Sequence, residues 1–285
     1  MAITTSSKVL YQKLCKQLRP AIRDEQERQA IARQLLMHYF QVNAVQLALD
    51  AVVTTTTAQQ QCLEVALQRL AQQEPLQYVL GIAHFFGRDF YVNPSVLIPR
   101  PETELLVQHI IEEHAAADLR ILDIGTGSGC IAITLQQELP ETVVDALDLS
   151  PAALKTARTN ATKLGAAVQF YQADILNTPL PDQRWDLIVS NPPYVRQSEK
   201  KHMQRRVLDY EPADALFVPD KDPLLFHKRI TVLAAMHLAP RGKLYIEINE
   251  AFGSATAGLL EQHGCKEVRI GQDLQGKDRW VMGSL

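Results

Sequence analysis

Cysteine, any strong imbalance of charge and any long apolar run are all scarce in this 285-residue chain, and each scarcity removes a class of protein. The four cysteines, Cys15, Cys62, Cys130 and Cys265, lie too far apart for a short disulfide framework or a C-x-x-C metal or redox site. They are expected to be buried free thiols in a reducing compartment, and no metal centre is expected. Lysine plus arginine number 29 against 32 acids, a net charge of -3, which excludes a protein made mainly of phosphate-binding surface. A local nucleic-acid contact stays open on charge alone. No apolar run approaches bilayer length, and the first residues lack the basic-then-apolar pattern of a signal peptide, so a soluble cytoplasmic protein with no membrane partner is expected. What is present in quantity is apolar material, 46% of residues, enough for a sizeable core.

The length suggests one large or two unequal domains. Residues 1–80 carry 8 basic and 6 acidic residues, a local charge of +2 that leaves -5 for the rest. Apolar stripes at Leu10, Leu14 and Leu18, at Ile31, Leu35 and Tyr39, and at Leu63, Leu67 and Leu70 predict helices. The run Thr54–Thr57 reads as a connection and N-cap before the last of them. A helical bundle serving partner recognition is expected there, followed by a hairpin linker over residues 81–96, where GIAHFFGRDFYVNP alternates aromatic and polar residues. From residue 97 to 285 the period is that of an α/β protein. RILDIG, VVDALDL, VQFYQADI, WDLIVS and GKLYIEI predict parallel strands alternating with helices, and CKEVRIGQD and DRWVMGSL a closing strand pair.

The densest constellation is LDIGTGSGCIAITL. Gly125, Gly127 and Gly129 allow a tight turn and close approach of a ligand, ahead of a helix with Ile131, Ala132 and Leu135 on its packed face. A dinucleotide-binding G-x-G-x-x-G turn needs glycine at position 130, where Cys130 stands, so that fingerprint fails. Asp123 precedes the loop and is a candidate for an amine-bearing part of a ligand. Asp148 ends the next strand, suited to ribose hydroxyls, and Asp174 ends the third, suited to an adenine amine, with Ile175 an apolar face beside it. Any one strand-end aspartate is as easily a cap or a solvated turn, but one nucleoside satisfies all three together.

WDLIVS then runs into Asn191-Pro192-Pro193-Tyr194. An asparagine at an apolar strand end is costly unless its amide is partnered, two prolines restrict the turn and remove backbone donors, and Tyr194 offers a flat face. That set suits a planar amide or aromatic amine.

These residues resemble the class I S-adenosylmethionine-dependent methyltransferases of the amino-methylating branch. By resemblance the loop Gly125, Thr126, Gly127, Ser128 and Gly129 binds S-adenosyl-L-methionine together with Asp123. Asp148 binds its ribose, Asp174 and Ile175 its adenine, and Asn191 touches both cofactor and acceptor. Asn191, Pro192, Pro193 and Tyr194 form the acceptor site, with Asn191, Pro192 and Tyr194 catalytic. The tetrapeptide alone leaves adenine, cytosine amino-group and glutamine methylation open. LIPRPETE from Leu97 to Glu104, the helical extension, DIGTGSG, NPPY and the terminal GKDRWVMG together resemble the peptide chain release factor glutamine methyltransferase family, called PrmC or HemK. The family more often has an aliphatic residue at Trp280, and a different ending at Ile246–Asn249. The resemblance implies a predominantly parallel seven-strand sheet with an antiparallel terminal strand. It also implies methylation of the GGQ glutamine of class I bacterial release factors to N5-methylglutamine, by a monomeric enzyme needing no stable nucleic-acid partner. The competing functions are an adenine amino-methyltransferase acting on DNA or RNA and a nonenzymatic release-factor docking module.

Two further segments carry weaker signals. Pro99 of LIPRPETE is expected to shape the approach to the cofactor pocket and Glu102 or Thr103 to support it, with Arg100 capping a turn or meeting an acidic surface. VRQSEKKHMQRR, with Arg196, Lys200, Lys201, Arg205 and Arg206 against Glu199, is expected to be a solvated flexible segment or an electrostatic guide for the partner.

Overall fold

A computed structural model describes residues 3–115 and 118–285. The chain divides into two compact units, Met1–Gly81 with Gln204–Tyr210, and Ile82–Met203 with Glu211–Leu285.

The first unit is helical with one small sheet. It contains β1 (Ile3–Ser6), α1 (Ser7–Leu18), α2 (Glu25–Phe40), α3 (Ala44–Ala48), β2 (Val52–Thr55), α4 (Thr57–Ala71) and α5 (Leu76–Leu80). Leu10, Leu14 and Leu18 of α1 are buried against Ile31, Leu35 and Leu36 of α2 and Leu63, Ala66 and Leu70 of α4, while Tyr39 and Leu67 of the expected stripes are only half-buried at the edge of this cluster. Asp24 caps α2, and Asn43 and Thr56 form capping boxes with Gln46 and Gln59, so the helix starts are written locally. Two expectations change. The threonine run does supply the Thr56 cap, but its first half is strand β2, paired antiparallel with β1 from Ile3↔Thr55 to Ser6↔Val52. Residues 204–210 join this unit: Arg206 pairs with Glu27 at 2.5 Å, and Tyr210 donates to the Gln72 carbonyl at 2.8 Å.

The second unit opens with the hairpin β3 (Ile82–Phe85) and β4 (Arg88–Tyr91), turned by Phe86 and Gly87, both at positive φ, and then α6 (Pro101–His114). The strand–helix series follows: β5 (Arg120–Ile124), α7 (Cys130–Glu138), β6 (Val143–Asp148), α8 (Pro151–Leu164), β7 (Val168–Gln172) and β8 (Trp185–Ser190). After β8 come the short β9 (Val195–Arg196), α9 (Arg205–Tyr210) of the first unit, and β10 (Phe217–Val218). The chain ends with α10 (Leu225–His237), β11 (Leu238–Glu247), α11 (Gly253–Gln262), β12 (Lys266–Gln272) and β13 (Asp278–Ser284).

The central sheet has seven strands in the order β12-β13-β11-β8-β5-β6-β7, parallel except for β13, which runs antiparallel to β11 and β12. This is the expected class I methyltransferase sheet. Its central strands are buried on both faces, which explains why apolar residues stand side by side in them, as at Leu187–Val189, rather than in strict alternation. Trp280 finds room because Gly271 lies opposite: a β-carbon there would stand 1.9 Å from the indole. The His109 ring stacks on it with centroids 4.5 Å apart.

The cysteine expectation needs correction. Cys130 and Cys265 are buried free thiols, and burial pushes the Cys130 thiol up to about 12, but Cys15 is half-buried and Cys62 exposed. Cys62 precedes Leu63 on α4 and falls off the packed stripe. Among the described residues no helix is long and apolar enough to cross a membrane.

Candidate active site

In a parallel sheet the loops leaving the carboxyl ends of neighbouring strands share one crevice. Here the strand order brings the segments after β8, β5, β6 and β7 side by side, and a cavity of about 650 Å³ opens along them, within the usual range for small-molecule sites.

The glycine loop forms its floor. The amides of Gly125 and Thr126 both donate to the Leu147 carbonyl of β6, at 2.8 and 2.9 Å, and Gly129 N donates to the Thr126 carbonyl. Gly125, Gly127 and Gly129 have φ of 76°, 55° and 83°, which only glycine adopts without strain. They then differ in role. β-Carbons on Gly125 and Gly127 would meet nothing within 4 Å, whereas one on Gly129 would stand 2.9 Å from Ile133 Cδ1 and 3.2 Å from Ala157 Cβ. The first two keep backbone exposed to a ligand; the third lets α7 pack on α8. Buried Asn160 of α8 steadies the loop by donating to the Ser128 carbonyl at 2.9 Å.

Asp148 Oδ2 accepts from Gly127 N and Oδ1 from Ser150 N, each at 2.9 Å. Burial raises its pKa, and these two N–H donors oppose the rise. Each carboxylate oxygen keeps a second acceptor position beside the cavity, which suits a vicinal diol. Asp174 Oδ1 accepts from Leu176 N at 3.0 Å and Oδ2 from the Asn177 side chain at 2.7 Å, while Ile175 is buried. Open glycine backbone, an acidic diol acceptor and an apolar slot with a carboxylate at its end make a site that fits an adenosyl group carrying an amino-acid tail.

On the other flank Asn191 leaves β8. Its Nδ2 donates to Thr103 Oγ1 at 3.1 Å, Thr103 donates to Glu247 Oε2 at 2.7 Å, and the Tyr194 hydroxyl donates to Glu247 Oε1 at 3.0 Å. Burial pushes Glu247 up to about 7 and raises the Tyr194 phenol well above its ordinary value, the adjacent carboxylate adding to the latter.

Of the residues expected at the site, Gly125, Thr126, Gly127, Ser128, Asp148, Asp174 and Ile175 line the cavity on the cofactor side, and Asn191, Pro192 and Pro193 on the acceptor side. Asp123, Gly129 and Tyr194 are not among its lining residues. Asp123 is fully buried, takes the Thr126 hydroxyl on Oδ2 at 2.6 Å, and is pushed up to about 7 by burial. It organises the loop from within. Pro99, Arg100 and Thr103 line the cavity, and Arg100 pairs at 2.7 Å with buried Glu211, which also accepts from Ile98 N. Phe217 and Phe226 line it as well, and Glu247 stands behind Asn191 through Thr103. None of these three was expected. Glu247 had a legible signal, an acid closing an apolar strand, as at Asp148.

Four of the five basic residues after NPPY make side-chain contacts, and Lys201 is exposed. Arg196 pairs with Glu199 and lies over Phe252, Lys200 lies over Phe217 at 4.3 Å, Arg205 pairs with Asp209, and Arg206 is the residue bound to Glu27.

Comparison with known proteins agrees with this geometry. Residues 101–212 match the methyltransferase small domain, and residues 10–81 the PrmC N-terminal domain. The release factor glutamine methyltransferase of Flavobacterium psychrophilum is 45% identical over 265 residues, covering 92% of this chain and 93% of that protein. That of Bacteroides thetaiotaomicron is 47% identical over 239 residues, covering 84% and 86%. A methyltransferase from Pyrococcus furiosus superposes with a TM-score of 0.53 at 16% identity, over 80% of this chain and 98% of that one, a likeness of fold.

Proposed function

The chain belongs to the release factor glutamine methyltransferase family, and from that premise we propose that it transfers the methyl group of S-adenosyl-L-methionine to the side-chain amide nitrogen of the GGQ glutamine in class I bacterial peptide chain release factors. The products are N5-methylglutamine and S-adenosylhomocysteine. We assign it to the cytoplasm, acting as a monomer with no stable nucleic-acid partner. The observation that carries the reading is the placement of Asn191, Pro192 and Pro193 on the cavity wall facing the glycine loop and Asp148. A docking module has no need of a pocket that sets a planar amide against a cofactor site.

When bound, the cofactor supplies an electrophilic sulfonium methyl. The residues of this chain orient what receives it. An amide nitrogen is a poor nucleophile because its lone pair is delocalised into the carbonyl, so alignment and charge stabilisation carry the catalysis. Asn191 Oδ1 and the Pro192 carbonyl accept the two amide hydrogens, and Tyr194, set behind the cavity lining with its hydroxyl on Glu247, supports that acceptor site. As the nitrogen gains positive charge, both acceptors strengthen. No strong base is required, since the methylated nitrogen is acidic enough to release its extra proton to water. Gly125, Gly127, Asp148, Asp174 and Ile175 hold the cofactor, with Asp148 on the ribose and Asp174 on the adenine amine.

The test is a methyl-transfer reaction with purified release factors and their GGQ-to-GGA variants, read by peptide mass spectrometry. The gain of one methyl group in place of a hydrogen on the GGQ peptide, lost in the GGA variant, is expected. Modification of an adenine in nucleic acid with none of GGQ would overturn the acceptor assignment.

A further inference from the structure

An asparagine amide has two ends that differ only in chemistry, and something must decide which end faces the substrate. Thr103 and Glu247, the two groups behind Asn191, are each 2% exposed, so bulk water does not substitute for either partner. Glu247 is pushed up to about 7, and above that pH it is a carboxylate that only accepts hydrogen bonds. The Thr103 hydroxyl has one proton, and it is directed at Glu247 Oε2, 2.7 Å away. The Thr103 oxygen can then only accept, so the end of Asn191 that faces it at 3.1 Å must be the NH2 group. The carbonyl end is left for the acceptor side. The reverse flip would set two oxygens together with no proton between them.

Building on the reading in which Asn191 Oδ1 orients the acceptor amide, we infer that Glu247 is a positioning residue that selects the productive amide flip of Asn191 through the Thr103 hydroxyl. With its second oxygen, Glu247 also holds the Tyr194 hydroxyl at 3.0 Å, so one carboxylate sets both polar side chains of the acceptor tetrapeptide. The parallel pairing of β11 with β8, with Ile246 opposite Ser190, brings residues 247 and 191 to the same edge of the sheet. Thr103, two residues into α6 from Pro101, bridges them.

Thr103→Val keeps the shape and removes the hydroxyl, and Thr103→Ser restores the hydroxyl. In single-turnover and steady-state transfer to a purified release factor, Thr103→Val should lower kcat at least ~10-fold with KM for the release factor changed less than ~3-fold, an alignment loss without a docking loss. Thr103→Ser should return to within ~3-fold of wild type, and Glu247→Met, which leaves neither hydroxyl a carboxylate acceptor, should also lose kcat. The side-chain amide resonances of Asn191, identified by their disappearance in Asn191→Ala, should shift in Thr103→Val and return in Thr103→Ser. That readout stands even where a variant is inactive. Wild-type kcat and unmoved amide resonances in Thr103→Val would overturn the relay, as would equal losses in the valine and serine variants accompanied by lower melting temperatures. If Asn191→Ala itself transfers methyl at the wild-type rate, the role of Asn191 has failed instead, which separates the two ideas.

Discussion

Asp148 gives the sharpest test of the cofactor half of the site. Its carboxylate already accepts one backbone N–H on each oxygen, from Gly127 and Ser150, and has its remaining acceptor positions beside the cavity. A hydrogen bond to a charged group contributes about 1.5–3 kcal/mol. Asp148→Ala loses that contribution to the ribose, while water entering the open cavity re-partners the freed amides and a buried charge is removed, so the fold itself should change by only about 1 kcal/mol. The net expectation is a Kd for S-adenosyl-L-methionine raised ~10- to 150-fold. Asp148→Asn should do no better, because its NH2 must face one of the two backbone donors. The sign with pH also follows. Burial raises the folded-state pKa, so the proton is taken up at a higher pH than in an exposed aspartate. Wild-type affinity should therefore fall on acidification, while the alanine variant lacks that dependence. Isothermal titration from pH 8 downward, with circular dichroism and thermal melts as controls, reads all of this. A folded alanine or asparagine variant with wild-type affinity would refute the strand-end assignment.

Asn191→Ala should leave the fold and most cofactor affinity in place and slow single-turnover transfer at least ~100-fold at saturating release factor, since alignment is what it removes. Gly129→Ala should destabilise by about 2–4 kcal/mol in urea titration, because a left-handed φ of 83° is combined with a 2.9 Å approach to Ile133. Gly125→Ala, with open space at its β-carbon, should cost about 1–2 kcal/mol. Glu247 is raised from 4.5 to about 7 by burial, with Glu102 raising it further, while Thr103, Tyr194 and Arg279 pull it down. The folded state thus holds that proton more tightly than the unfolded chain, and the group's contribution to stability is lost as pH rises from about 4.5 to 7. Relative to wild type, Glu247→Gln should gain stability across that window, by up to about 3 kcal/mol, as measured by denaturant titration at pH 5 and pH 8. A constant difference between the two proteins would count against a buried titrating carboxylate.

What was legible in the sequence was what short-range chemistry writes. Short apolar stretches broken by single polar residues, as at Leu187–Val189 after Asp186, marked the central strands because a parallel sheet buries both faces, and three glycines in alternation marked a turn whose φ values other residues resist. Leu63, Ala66 and Leu70 even carried the information that Cys62 lies off the packed face of α4, had the stripe been extended one residue back. The pairing of β1 with β2 was not legible, since Ile3 and Thr55 meet across 52 positions and the polar threonines hide a strand that is buried only at Val53 and Thr55. Nor was the return of residues 204–210 to the helical unit, which rests on Arg206 meeting Glu27 across 179 positions.

The same division runs through the site. Its cofactor side is built from segments that each leave a strand, so one rule about strand ends finds Gly125, Asp148 and Asp174, and that rule applied once more finds Glu247 at the end of β11. The acceptor side obeys no such rule. Thr103 comes from a helix that precedes the sheet, 88 positions from Asn191 and 144 from Glu247, and a threonine in a helical first turn has no feature that marks it as the link between them. Its role exists only because one hydroxyl can donate once, and the geometry decides where that donation goes.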